Sequence, residues 1–208
     1  MRRKHTGHAT RTERRGIPSP GSDCDRNVIA TASRQKDSHD EGMSTPLFHV
    51  VLFQPEIPHN TGAVGRTCVA VGAKLWLIRP LGFRITDRHL KRSGLDYWQY
   101  LDWEAVDHWD ALRERLPDRR FWFLTKTAAK SYAQVEYRPG DVFVFGSESR
   151  GLPPALLQSH RESLLRIPIS GRVRSLNLSV SVGITLYEAW RQSGWQAPGD
   201  ANESGSTT

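Results

Sequence analysis

The chain has 208 residues, 29 Lys+Arg against 22 Asp+Glu for a formal charge of +7, and 38% hydrophobic and 25% charged content. That is enough chain for one domain with a real core and marginal for two, and no apolar run approaches the roughly 18 residues of a membrane span, so a soluble protein is expected. The charge favours a polyanionic partner, but residues 1–42 hold 9 Lys+Arg against 6 Asp+Glu, so +3 of the excess lies there and the basic signal from the rest is modest. Cys24 and Cys68 are the only cysteines and the histidines are scattered. These residues build neither a disulfide framework nor a metal-ligand spacing; a reducing, cytoplasmic setting without a metal is expected.

Residues 1–43 lack apolar periodicity and are rich in Arg, Ser, Gly and Thr. They are expected to be a disordered extension, with Met43 marking the expected translation start; a nucleic-acid-binding arm is the alternative. Residues 44–195 are expected to form the domain and residues 196–208 a disordered tail. Phe48 to Gln54 reads as a buried strand and Pro55 to His59 as the turn leaving it. Asn60 is placed to cap a helix running to Gly72, with Val64, Cys68 and Val71 on its core face. Arg66 falls about 200° around from Val64 and points away from that core. Its neighbours Gly62, Gly65 and Val69 let another chain or a ligand approach closely; the alternative is a plain exposed helix arginine.

Lys74 to Arg79 is the second strand, and Pro80 to Phe83 the loop leaving it. Asp87 to Arg92 reads as a short basic helix, Tyr97 to Trp103 is ambiguous with strand favoured, and Glu104 to Arg115 reads as an amphipathic helix with Val106, Trp109 and Leu112 inward. Phe121 to Thr125 and Val142 to Phe145 are further strands. Strands alternating with helices predict an α/β fold, a mostly parallel sheet with helices on both faces.

Gly146 to Pro153 follows a strand as a glycine-rich turn, but G-x-x-x-x-G is followed by Leu-Pro where a P-loop needs Lys and Ser/Thr. No G-x-G-x-x-G follows any strand either, so an ordinary dinucleotide fold lacks support. Glu148 is the odd residue of this turn: a carboxylate there can receive backbone amides or an arginine. From Ile167 to Arg191 the pattern is strand end, polar loop, then a helix apolar nearly all round. Val180, Ile184 and Tyr187 form one row of it, and Leu178, Val182, Leu186 and Trp190 a second. One row then packs on the sheet and the other on a second copy of the chain, or both are buried in a monomer core.

Three strand ends thus deliver loops that can converge: Leu124-Thr125, Gly146 to Gly151, and Ile167 to Asn177. Backbone groups at strand C-termini suit an adenosine-sized ligand. No His lies in these loops and Ser175 lacks an evident base, so the chemistry needs little acid–base machinery; methyl transfer from a sulfonium donor fits.

The motifs PEIPHNTGAVGRTCVAVGA, PLGF followed by RSGLDY, FVFGSESRGLP and IPISGRVRSLNLSVSVGITLYEAWRQ occur in that order. Together they resemble the SPOUT (α/β-knot) RNA ribose 2′-O-methyltransferases, and within them the small tRNA (cytidine(34)-2′-O)-methyltransferases that modify the wobble nucleotide. The resemblance spans about residues 47–193. It implies a C-terminal trefoil knot, S-adenosylmethionine as cofactor, a homodimer, and tRNA, through its anticodon stem-loop, as substrate. By motif position it implies cofactor contacts at Leu124, Thr125, Gly146, Ile167, Ser175 and Leu176, and catalytic roles for Asn60, Arg66, Glu148 and Asn177. Arg84, Arg88, Lys91, Arg92, Arg150, Arg172 and Arg174 are the candidates for phosphate contacts. Three alternatives stand beside this reading: a 2′-O-methyltransferase for another tRNA position or ribosomal RNA, a non-catalytic RNA-binding module, and a structural homodimerisation protein.

Overall fold

A computed structural model of the chain describes residues 45–84 and 96–196. The expected basic helix at Asp87 to Arg92, the N-terminal extension and residues 197–208 of the tail lie outside the described residues. Among the described residues six parallel strands form one sheet, β1 (His49–Phe53), β2 (Lys74–Ile78), β3 (Trp103–Val106), β4 (Phe121–Leu124), β5 (Val142–Phe145) and β6 (Leu164–Leu165), in the order β3-β2-β1-β5-β4-β6. Successive side chains of a strand point to opposite faces, so an all-apolar strand feeds two cores at once. In β1, Val50 and Leu52 join Val64, Cys68, Phe143, Val182 and Leu186 on one face. Val51 joins Trp76, Leu112, Phe123 and Val144 on the other.

Helix α1 (Pro58–Val71) and helix α4 (Leu178–Gln192) pack together on the first face. Helices α2 (Trp109–Arg115) and α3 (Pro154–Ser159) contribute Leu112, Leu156 and Leu157 to the second. The expected α/β sheet covered on both faces is therefore present. Helix α1 ends as expected at Gly72, whose φ of 73° is the left-handed conformation that glycine adopts without strain.

Three local expectations are corrected. Asn60 does not cap α1: Pro58, with its preset φ and no N–H to satisfy, takes the first helical position, and Ile57 is the cap residue without a capping side chain. The strand expected at Tyr97 to Trp103 is a 3₁₀ turn at Asp96–Tyr100, and β3 begins only at Trp103. The helix expected from Glu104 starts at Trp109, because His108 breaks the chain there and caps α2, its Nδ1 accepting from the Ala111 N–H at 3.1 Å.

At the N-terminal edge of the sheet His49 is buried, and its Nδ1 accepts the indole N–H of Trp76 at 3.2 Å. Burial, then the nearby Arg119 and Lys74 charges, push its pKa down to about 4. An unfolded histidine takes a proton near pH ~6.5. Between these values the unfolded chain binds more protons, so His49 contributes stability that is present above about pH 6.5 and lost as pH falls toward 4. By pH 5 the loss is roughly 2 kcal/mol. Denaturant unfolding at pH 7 and pH 5 is expected to show a steeper decline for the wild type than for His49→Gln; parallel declines would mean that the ring does not stay neutral in the fold.

Candidate active site

All six strands are parallel, so the loops after β1, β5, β4 and β6 leave from one edge of the sheet, and these strands are neighbours in that order. The break in chain order between β1 and β5 is where open α/β sheets form a ligand crevice. A hydrogen-bonded network occupies this place. The Glu148 carboxylate, in the turn after β5, accepts the backbone N–H of Glu56 at 2.8 Å, that of Ile57 at 3.2 Å and the Asn60 amide at 3.0 Å. Asn60 is 5% exposed, and its side-chain oxygen accepts from the Asn177 amide at 3.0 Å. Asn177 then caps α4, accepting from the Ser179 N–H at 2.9 Å and the Ser179 hydroxyl at 2.7 Å.

This network ties the turn after β5, the start of α1 and the start of α4 together. It also answers how α1 begins without a capping side chain of its own. The helix has no acidic residue in its first turn, and Glu148, from 91 positions away, supplies both the acceptor and the negative charge that a helix N-terminus favours. Three of the expected catalytic residues are thus joined, Asn60 hydrogen-bonding to both Glu148 and Asn177.

A reciprocal latch lies beside them. The Glu56 carboxylate accepts from the Ser149 N–H at 3.0 Å and the Ser149 hydroxyl at 2.6 Å, with Arg150 Nε 4.0 Å away. These Ser149 hydrogen bonds first, and the Arg150 charge least, hold the Glu56 carboxyl below its ordinary range. The turn itself closes through the Gly151 N–H to the Ser147 carbonyl at 2.9 Å, and a Cβ on Gly146 would lie 2.5 Å from the Gly151 oxygen. The loop after β2 presses on the same region: Gly82 donates to the Pro55 carbonyl at 2.9 Å, and a Cβ there would lie 2.7 Å from Glu56 Cα.

Strand register locates four of the expected cofactor residues. Leu124 pairs with Phe145 on one side and Leu165 on the other, so Thr125, Gly146 and Ile167 all stand just past the same edge. Leu124, Thr125, Gly146, Ile167 and Leu176 are half-buried, and Ser175 is exposed. Ser175 and Leu176 immediately precede Asn177, which the network holds against the turn after β5 through Asn60.

Arg66 is exposed on α1, six positions beyond Asn60 and roughly 9 Å along the axis. Its guanidinium carbon lies 4.7 Å from the centre of the Tyr97 ring. Of the expected phosphate contacts, Arg84, Arg150, Arg172 and Arg174 are exposed; Arg88, Lys91 and Arg92 lie outside the described residues. Cys68 offers no nucleophile, since full burial pushes its thiol up. Among the described residues no group of three or more His, Cys, Asp or Glu is placed to hold a metal ion.

Comparison with known proteins identifies the scaffold. A family model described as the SpoU rRNA Methylase family matches residues 47–187. The chain belongs to that family. A tRNA (cytidine(34)-2′-O)-methyltransferase of Methylovorus glucosotrophus (strain SIP3-4) is 45% identical over 147 residues, covering 70% of this chain and 96% of that protein. A solved structure whose subject is the 2-OH methylation of C/U34 on tRNA is 47% identical, with a TM-score of 0.67, covering 72% of this chain and 97% of the other. An AdoMet-bound rRNA methyltransferase from Sinorhizobium meliloti is 27% identical with a TM-score of 0.60, covering 69% of this chain and 56% of the other.

In this SpoU family chain the network can bind and orient but cannot shuttle protons by itself, because two of its members are amides that neither gain nor lose a proton near neutral pH. Sequence reading did not find the Glu56–Ser149 latch or the Tyr97 contact with Arg66. Glu56 and Ser149 are separated by 93 positions, and nothing local marks the pair. Tyr97 sits in the aromatic run Tyr97-Trp98-Gln99-Tyr100, which reads equally well as a strand.

Proposed function

We propose that this chain transfers a methyl group from S-adenosylmethionine to the ribose 2′-OH of the wobble nucleotide of tRNA, position 34, a cytidine or modified uridine. The observation that carries this reading is the hydrogen-bonded joining of Glu148, Asn60 and Asn177 at the sheet's switch point, in a chain 45% identical to a tRNA (cytidine(34)-2′-O)-methyltransferase along 96% of that protein.

The residues present suit the cofactor. Gly146 leaves no room for a side chain against Gly151 and so presents bare backbone at the edge; half-buried Leu124, Ile167 and Leu176 give apolar walls for an adenine ring. Leu124, Thr125, Gly146, Ile167, Ser175 and Leu176 would hold the cofactor, which when bound supplies an activated methyl group. Glu148, Asn60 and Asn177 set the relative position of the turn after β5, the start of α1 and the start of α4, and thereby the line between the methyl group and the attacking oxygen. Arg66 acts as a cation. A guanidinium holds its protons far above neutral pH, so it is an expensive general base but a good partner for a phosphate and a developing 2′-alkoxide. The 2′-proton leaves to phosphate or water.

The domain spans residues 44–195, its C-terminal half is knotted, and two copies form the working unit. The row Val180, Ile184 and Tyr187 supports the pairing. Val180 and Tyr187 are 48% and 45% exposed, whereas Val182 and Leu186 of the other row are buried in the core. Arg84, Arg88, Lys91, Arg92, Arg150, Arg172 and Arg174 then engage the phosphates of the anticodon stem-loop.

The test is transfer of labelled methyl from S-adenosylmethionine to tRNA lacking the wobble mark, followed by nucleoside mapping. Label on the ribose of position 34 is expected. Label elsewhere would move the substrate, and no label with cofactor bound would overturn the reading. Arg66→Ala is expected to lower kcat about 100-fold; a drop in tRNA affinity alone would remove Arg66 from the chemistry.

A further inference from the structure

We infer that Tyr97 is a positioning residue that sets the direction of the Arg66 guanidinium; the functional part of this inference rests on the role proposed above for Arg66. Two contacts on one side chain carry it. The Tyr97 hydroxyl donates to the Gly62 carbonyl at 2.6 Å, and the face of the same ring lies under Arg66, 4.7 Å from its guanidinium carbon. Gly62 and Arg66 are four apart on α1 and so lie on one side of the helix. The ring is thus fixed to the backbone of the very turn that carries the arginine. Tyr97 is 9% exposed, while Arg66 is exposed.

The small residues around Arg66 explain how the ring reaches this place. A Cβ on Gly65 would lie 3.0 Å from both Leu101 and Trp98 side-chain atoms, so the turn Asp96–Tyr100 packs directly onto the glycine face of α1. What approaches closely beside Arg66 is the chain's own aromatic turn. Stacking on an anchored ring favours the arginine rotamers that keep the guanidinium over its face. A cation that must meet a developing alkoxide gains from being directed before the substrate arrives. Tyr97 does not touch the reacting atoms and acts through Arg66.

The experiment uses the full-length protein, with Tyr97→Phe and Tyr97→Leu alone and each combined with Arg66→Ala. The first measurement is the NMR chemical shift of the Arg66 Hδ and Hε protons, which a ring face displaces. The displacement is expected to persist in Tyr97→Phe and to vanish in Tyr97→Leu; an unchanged shift in Tyr97→Leu overturns the contact whatever the activity is. The second is steady-state methyl transfer to tRNA. Tyr97→Leu is expected to lower kcat about tenfold with KM for S-adenosylmethionine unchanged, Tyr97→Phe to restore most of that loss, and Tyr97→Leu to cost nothing further once Arg66 is alanine. An equal loss in the Arg66→Ala background, or a fall in cofactor affinity and melting temperature that accounts for the whole effect, would make Tyr97 merely structural. If the wild type transfers no methyl to tRNA, the functional reading fails, while the NMR result still decides the contact.

Discussion

Replacing Gly146 by alanine is expected to destabilise the protein by about 3 kcal/mol or more and to weaken S-adenosylmethionine binding at least 30-fold. The added Cβ would lie 2.5 Å from the Gly151 carbonyl oxygen and still nearer to Gly151 C and Leu152 N. These are backbone atoms, so no rotamer change relieves the overlap. The turn must open, and the Gly151-to-Ser147 hydrogen bond and the bridge between the same residues open with it. Glu148 and Ser149 lie inside that turn, so their acceptors and donors move away from Glu56, Ile57 and Asn60 together. Thermal unfolding and calorimetric titration with S-adenosylmethionine check both halves. A Gly146→Ala protein with wild-type melting temperature and affinity would show that the turn is not closed as described.

Much of this arrangement is legible in the chain because the sheet is buried on both faces. Strands such as Val142 to Phe145 must then be apolar throughout, and that composition needs no partner to be recognised. Gly72 and Asn177 announce helix ends through local chemistry, and both do what that chemistry requires. The stretch from Tyr97 to Arg115 misleads for a physical reason. Val106, Trp109 and Leu112 recur every three residues and all face the core, yet Val106 belongs to β3 and the other two to α2. Periodicity reports burial without reporting which element provides it. Glu148 was legible as an acceptor for backbone amides, whereas which amides it meets depends on the β1–β5 pairing that no local signal encodes. Asn60 was misplaced for the complementary reason: Asn is a good cap, but Pro58 starts the helix two residues earlier, which leaves the side chain inside the first turn and free to join Glu148 to Asn177.

Glu148→Ala is expected to cost about 2–3 kcal/mol of stability, and Glu148→Gln roughly half of that, with methyl transfer falling in the same order. The carboxylate serves three donors. Its Oε1 accepts from the Ile57 N–H and Asn60, and its Oε2 from the Glu56 N–H. Alanine strands the Asn60 amide of a buried residue and the part-buried Glu56 amide, while the Ile57 amide is exposed to water. Glutamine keeps one oxygen. Turned toward Ile57 and Asn60 it preserves two of the three bonds and sets its own amide against the Glu56 N–H, while removing the negative charge at the start of α1. The order Glu, Gln, Ala therefore follows from counting acceptors. Urea unfolding of the three proteins, read beside their kcat, decides between two uses of the carboxylate. Activity that tracks stability across the series assigns Glu148 to holding α1, α4 and the turn in place. A Glu148→Gln protein that folds well yet turns over no faster than Glu148→Ala would mean instead that the negative charge itself acts on the bound substrates.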